Sequence, residues 1–385
     1  MRNLLLLGLL VSLSLTTTAK ESQITNFTVE ELRIENAQKE MPQVFQLLGN
    51  NTKQFTEQVS QAKNLTTLTQ LVIRHGQKLW QDAVIAFKNQ ENYDDRALYW
   101  ARLQMTKELR QNKTFQGLLA LQQQQLLWKF ELISRGQLDI KFDRGSKKKI
   151  LVTGFDPFFL DRNIGQSNPS GVAALALDNL VVNHLGQSAE IESLIIPVRF
   201  ADFDQGMIEE LLTPYFRQVD MIVTISMGRE NFDLERFPSL RRSANAPDNL
   251  NVYTGGTKEL PVLPLLFESA FVGPEFVEFS LPVAAMQKAK GPFTVNDNRK
   301  VTTLEGIKIA DSLQALTTQT SVEGSGGGYL SNEISYRSIV LRDAHKPTLP
   351  VGHIHTPRIK GFEPERTREI VKQIKQMLTL TISDI

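Results

Sequence analysis

From residue 147 onward, short runs of β-branched residues bounded by turn residues alternate with stretches of helical periodicity; Ile150 to Thr153, Ile191 to Val198 and Met221 to Ile225 are the clearest. Short β-branched runs of this kind, with no regular alternation of apolar and polar residues, read as strands buried on both sides, because a strand with one wet face would alternate. Strand and helix in turn admit few architectures. The pattern predicts an α/β fold, a mostly parallel twisted sheet with helices on both faces. Asn168-Pro169 marks a helix start, since Asn can cap free amides and Pro at the first helical position loses no hydrogen bond. A final amphipathic helix is expected where Ile370, Ile374, Met377 and Leu378 share one face.

The segment before this region, residues 20–145, is rich in Gln, Leu, Glu and Lys, poor in Pro and Gly, and carries Leu79, Ala83 and Phe87 at helical spacing. It reads as an all-helical N-terminal domain, with the glutamines at 122–125 as a solvated helix face between Leu118, Leu119 and Leu126, Leu127, Phe130. The boundary falls at Arg144-Gly145-Ser146, ahead of Lys147, Lys148 and Lys149, a solvated strand entry, and residues 146–385 form the α/β domain.

Residues 1–19 have the layout of a secretory signal, with Arg2 as the positive end, Leu4 to Leu15 as the apolar core and Thr17-Thr18-Ala19 as the small-residue cleavage site. An apolar run of about twelve residues is short of the about twenty that a spanning helix needs, so a secreted or periplasmic protein without a membrane span after cleavage is expected. The chain has no cysteine, which excludes disulfides, thiolate nucleophiles and cysteine-ligated zinc. Its 43 basic and 42 acidic residues nearly cancel, so no global field draws it to nucleic acid or to an anionic membrane.

In an open α/β sheet reactive groups gather at the carboxyl ends of the strands. After the first strand, Thr153-Gly154-Phe155-Asp156-Pro157-Phe158 sets two aromatic rings near the sheet edge, where exposed rings suggest a ligand. Residues 228–249 read GRENFDLERFPSLRRSANAPDN and place Glu235 in a Leu-Glu-Arg step. Residues 324–336, GSGGGYLSNEISY, run a glycine-rich turn into a helix, so that backbone amides and the helix dipole point at one spot beside Ser331; the plainer account makes the serine a helix cap. Residues 351–359, VGHIHTPRI, supply His353 and His355. Two histidines at i and i+2 share a strand face, but no third metal ligand lies near in sequence.

These blocks, in this order, resemble pyroglutamyl peptidase type I, the pyrrolidone-carboxylate peptidases. The resemblance implies that Phe155 and Phe158 flank a lactam ring and that Asn168 helps to bind it. It puts Ser331 at the position of the family's nucleophilic cysteine, His355 as base and Glu235 as the residue that orients it. The implied activity is removal of N-terminal pyroglutamate from a peptide or small molecule, without metal or cofactor, by a Ser-His-Glu variant of the triad. A serine hydroxyl cannot wait as an anion, so His355 must take its proton during attack.

Two departures stand out. Asn245 occupies a place near the oxyanion where that family usually has Arg, and residues around 287–323 form an insertion, a lid or an oligomer contact. The alternative is a catalytically inactive homologue that binds such ligands. As an oligomer contact, the segment around 287–323 would serve a homo-oligomer. Arg74-His75-Gly76 resembles the triplet of histidine phosphatases, but it lies in a helical stretch without that family's following Arg and Pro.

Overall fold

β1 (Lys148–Phe155) is the strand around which the α/β part is built. The chain is described here from a computed structural model, over residues 27–90, 92–143, 145 and 147–385. The signal segment at 1–19 and part of the boundary at 144–146 lie outside the described residues. The remaining strands of the main sheet are β2 (Leu180–His184), β3 (Gln187–Ile196), β4 (Met221–Met227), β5 (Phe232–Glu235), β6 (Val295–Asn298) and β7 (Val351–Thr356), in the spatial order β2-β3-β1-β4-β7-β5-β6. β3, β1, β4 and β7 run parallel; β2 is antiparallel to β3, and β5 is antiparallel to β7 and parallel to β6.

The expected mostly parallel sheet is therefore present, and β4 and β7 are buried almost end to end, as a sheet covered on both faces requires. The helices that cover it fall into two groups. Pro169–Leu177 packs with Pro364–Leu380, and Leu330–His345 packs with Met207–Leu212. Asn168 caps the first of these helices, accepting the Ser170 amide at 3.1 Å, with Pro169 at its first position. In the last helix Ile370, Ile374, Met377 and Leu378 are all buried.

Residues Val29–Ile133 are helical throughout their regular elements, the longest being Leu65–Gln90, on which Leu79, Ala83 and Phe87 face the core. The glutamine run differs from expectation. The helix Ala120–Ile133 begins after Leu118 and Leu119, and Leu119 is exposed. Gln123 is fully buried and donates to the Phe115 carbonyl at 2.9 Å, because the inward stripe of this helix is 123, 126 and 130. His75 is a core residue, edge-on to Phe55 with ring centroids 5.4 Å apart, and Gly76 lies against Ile133. That packing accounts for the Arg-His-Gly triplet.

The segment expected to be an insertion, around residues 287–323, is part of the body. It contributes β6 and a three-stranded antiparallel sheet, Lys300–Thr303, Gly306–Ile309 and Ser321–Glu323, whose Val301, Ala310 and Leu316 close a second apolar cluster over Phe237 and Phe276.

The helical part and the sheet are joined by buried charge. Asp156, in the turn after β1, receives Arg102 at 3.0 Å and Arg135 at 2.7 Å, and all three side chains are almost fully buried. Arg199 bridges Glu30 at 3.1 Å and Glu131 at 2.8 Å. Arg33 holds Asp161 at 2.7 Å. Removing the carboxylate between two buried guanidiniums leaves Arg102 without an ion-pair partner among the described residues and Arg135 with Glu131 alone. Asp156→Ala is expected to lower the unfolding free energy by about 3–5 kcal/mol in urea denaturation, whereas a loss below about 1 kcal/mol would show that the charges are solvated.

Candidate active site

β4, β5 and β7 end close together. In the antiparallel pairing of β5 and β7, Ile354 faces Leu234 and His355 faces Asp233, which brings Glu235 beside the imidazole. His355 Nδ1 lies 2.6 Å from Glu235 Oε1. The chain leaves β4 at Gly228, where a Cβ would stand 2.6 Å from His355 Cβ. Glycine is thus what lets the strand exit pass the imidazole.

Glu235 is almost fully buried and makes no pair with Arg229 or Arg236; Arg236 is engaged with Asp297 and Glu278. Its second oxygen accepts from Asn298 Nδ2 at 2.8 Å, and the same amide donates to the Ser325 carbonyl at 2.9 Å. Burial pushes the carboxyl above its ordinary range, opposed by the His355 charge and by these hydrogen bonds. Asn298 escaped the sequence reading because it lies in β6, outside the four blocks that carry the resemblance. A clue was available in the Asn296-Asp297-Asn298 step next to a β-branched residue.

His353 is completely buried between two hydroxyls, Thr224 Oγ1 2.8 Å from Nδ1 and Ser226 Oγ 2.7 Å from Nε2, and its ring stands edge-on to His355 at 4.9 Å. Burial drives its pKa well below the ordinary value, so it stays neutral, donating to one hydroxyl and accepting from the other. Both its nitrogens are occupied. Among the described residues no group of three or more His, Asp or Glu side chains is placed to hold a metal ion.

Ser331 is the second residue of the helix Leu330–His345. Its hydroxyl donates to the Gly326 carbonyl at 3.3 Å. Gly326 also borders the imidazole, a Cβ there meeting His355 Cε1 at 3.5 Å. The structure thus brings Ser331 and His355 to the same glycine, although among the described residues no hydrogen bond joins them. The amides of Leu330, Ser331 and Asn332 have no acceptor among the described residues, as the first turn of a helix without a side-chain cap leaves them. Ser331 is therefore not the cap; that position belongs to Tyr329.

In front of Ser331 opens a cavity of about 740 Å³. Phe155, Phe158, Asn168 and Ser331 all line it, and Ser226 and Gly228 border it from the end of β4. Phe155 is not the exposed ring expected. It is buried and lies parallel to Phe203, centroids 6.4 Å apart, because the short helix Phe200–Asp204 covers it. Phe158 is half-buried against Phe159. The Asn168 carboxamide caps its helix and donates to the Asp156 carbonyl at 2.9 Å, so much of its bonding capacity is already used. Asn245 is exposed; its neighbours Ala244 and Ala246, not Asn245, line the cavity.

The chain belongs to the PA0049 family. Residues 14–131 match the family's N-terminal domain, and residues 149–274 and 293–360 match its C-terminal domain. The "Uncharacterized protein PA0049" of Pseudomonas aeruginosa is 31% identical, over 76% of this chain and 70% of that protein. A "Pyrrolidone-carboxylate peptidase" of Alkaliphilus oremlandii is 26% identical, over 54% of this chain and 78% of the relative. Among solved structures, the pyroglutamyl peptidase I of Bacillus amyloliquefaciens is 22% identical, over 62% of this chain and 98% of that chain, with a TM-score of 0.42. The resemblance to pyrrolidone-carboxylate peptidases is thus a weaker likeness beside membership of the PA0049 family.

Behind the cavity wall, Asp95 from the helical part accepts Ser167 Oγ at 2.6 Å and the Asn168 amide at 3.2 Å. Burial pushes its carboxyl up to about 8. With the folded value raised above the unfolded one, the folded state holds the proton longer. The contribution of Asp95 to stability is full below about pH 4 and is lost as pH rises through about 8. Denaturation midpoints of wild type should therefore fall across that window more steeply than those of Asp95→Asn. Parallel profiles would contradict the assignment.

Proposed function

We propose that this protein is a hydrolase of the pyroglutamyl-peptidase type, with Ser331 as nucleophile, His355 as general base and Glu235 as the group that orients and charge-balances the imidazole. The observation that carries the reading is the buried 2.6 Å Glu235–His355 contact standing behind a serine at a helix N-terminus. In the proposed cycle the Ser331 hydroxyl turns from the Gly326 carbonyl and gives its proton to His355 Nε2 as its oxygen attacks the acyl carbon. The proton then passes to the departing amine. Water repeats the sequence to free the acid. The unpaired amides of Leu330, Ser331 and Asn332 are the donors for the oxyanion, each worth about 3 kcal/mol if aimed at it. Phe155 and Phe158 supply the aromatic wall against which a flat lactam would pack.

The likeness to proteins named pyrrolidone-carboxylate peptidases supports the substrate class, a peptide or small molecule with N-terminal pyroglutamate. The signal-like layout of residues 1–19 supports export to the periplasm or beyond.

A second reading, a binding protein without turnover, draws on the hydroxyl of Ser331 pointing to a carbonyl and not to the imidazole. Release of a chromophore from a pyroglutamyl amide separates the two. Wild type should turn over, Ser331→Ala and His355→Ala should lose at least about 10³-fold in kcat, and Ser331→Cys should keep activity. Activity that survives Ser331→Ala rejects the serine mechanism. Turnover by Ser331→Cys alone favours the binding protein.

A further inference from the structure

The lining of the cavity is electrostatically one-sided. It includes Arg162, Arg358 and Lys360 and no Asp or Glu, in a chain whose total charge is nearly balanced. All three cations are exposed, and among the described residues none forms an ion pair with a carboxylate. Two are held in place by other means. The Arg162 guanidinium lies 4.6 Å over the Phe159 ring, and Arg358 Nε donates to the Gly228 carbonyl at 3.3 Å. The acid next to Lys360 is turned away from the cavity's purpose: Glu363 accepts the Lys360 backbone amide at 3.2 Å and faces Arg366 at 3.9 Å.

Arg358 and Lys360 follow β7 directly, three and five residues after His355. A positive rim thus stands beside the proposed reaction centre. Unpaired like charges round a concavity repel one another until an anion enters, and a low-dielectric wall of aromatic rings strengthens their field. The volume of about 740 Å³ suits a small molecule and not an extended chain.

We infer that the site takes acidic substrates, pyroglutamyl dipeptides whose free terminal carboxylate is received by Arg358 and Lys360, with Arg162 on the same lining. The inference rests on the cavity being the substrate site of the proposed hydrolase. It adds a selectivity that the triad does not contain, since a serine, a histidine and a glutamate are indifferent to charge beyond the scissile bond.

Calorimetry on the full chain bearing Ser331→Ala, which blocks turnover, tests it with two pairs of ligands: pyroglutamyl-alanine and its amide, and N-acetyl-alanine and its amide. Each acid should bind on the order of 10-fold more tightly than its amide at low salt, with the gap closing as salt rises. Adding Arg358→Gln and Lys360→Gln should close the gap and leave the amides as they were. Equal affinity of acid and amide, a gap that persists in the charge variant, or no binding by any of the four overturns the inference. The two readings fail differently. If both acids win but pyroglutamyl compounds bind no better than acetyl ones, the anion site stands and pyroglutamate selectivity falls. If the pyroglutamyl amide binds as tightly as its acid and both exceed the acetyl pair, pyroglutamate selectivity stands and the anion site falls.

Discussion

The carboxylate of Asp156 is among the most deeply buried of the charges that tie the two parts of this protein together. Asp156 sits in the turn after β1, between the two phenylalanines that face or back the cavity, and two arginines from the helical part close on it. Two buried guanidiniums and one carboxylate form a favourable arrangement only when every remaining donor finds a partner. Here Arg102 also uses Ser134, and Arg135 uses Glu131. The turn geometry is therefore set from outside the sheet. Asp95 fixes Ser167 and Asn168 in the same way, and Arg33 fixes Asp161 and the Asn249 carbonyl. Three segments next to the cavity are thus braced by helices that contribute little to its lining.

On the opposite side the site is braced by the sheet itself. Glu235 and His355 come from antiparallel neighbours, so their meeting follows from strand register and needs no loop to order. His353 fills the space next to them as a neutral wedge locked by Thr224 and Ser226. Asn298 finishes the carboxylate's hydrogen bonds from β6, the edge strand of the sheet. Every member of the proposed triad except Ser331 is thereby held by at least two independent elements. Ser331 alone rests on one long hydrogen bond to Gly326, which suits a hydroxyl that has to turn during reaction.

Much of the fold was legible because burial on both faces of a parallel sheet writes short runs rich in β-branched residues without regular alternation, as at β1 and β4, and because Asn168-Pro169 is a strong local helix start. The helical part was legible from Leu79, Ala83 and Phe87 for the same reason of period. Where a polar side chain is buried, period misleads: Gln123 looked solvated and is inside, satisfied by a carbonyl from a neighbouring turn. Phe155 looked exposed and is covered, because the helix at 200–204 that covers it is distant in sequence. The charged contacts of Asp156, Asp95 and Arg33 join residues tens to hundreds of positions apart, and single residues of that kind carry no local signal. The Glu235–His355 contact was anticipated only through resemblance to a family; nothing in the spacing of residues 235 and 355 announces it.

In the proposed cycle the oxygen of Ser331 becomes covalently acylated. Rapid acid quench of the full chain mixed with an activated pyroglutamyl ester, followed by mass spectrometry of the peptide around Gly326 to Arg337, tests this directly. The expected result is one pyroglutamyl group on Ser331, absent in His355→Ala. Ester cleavage with that peptide unmodified at every quench time, or acylation at another residue, would contradict it.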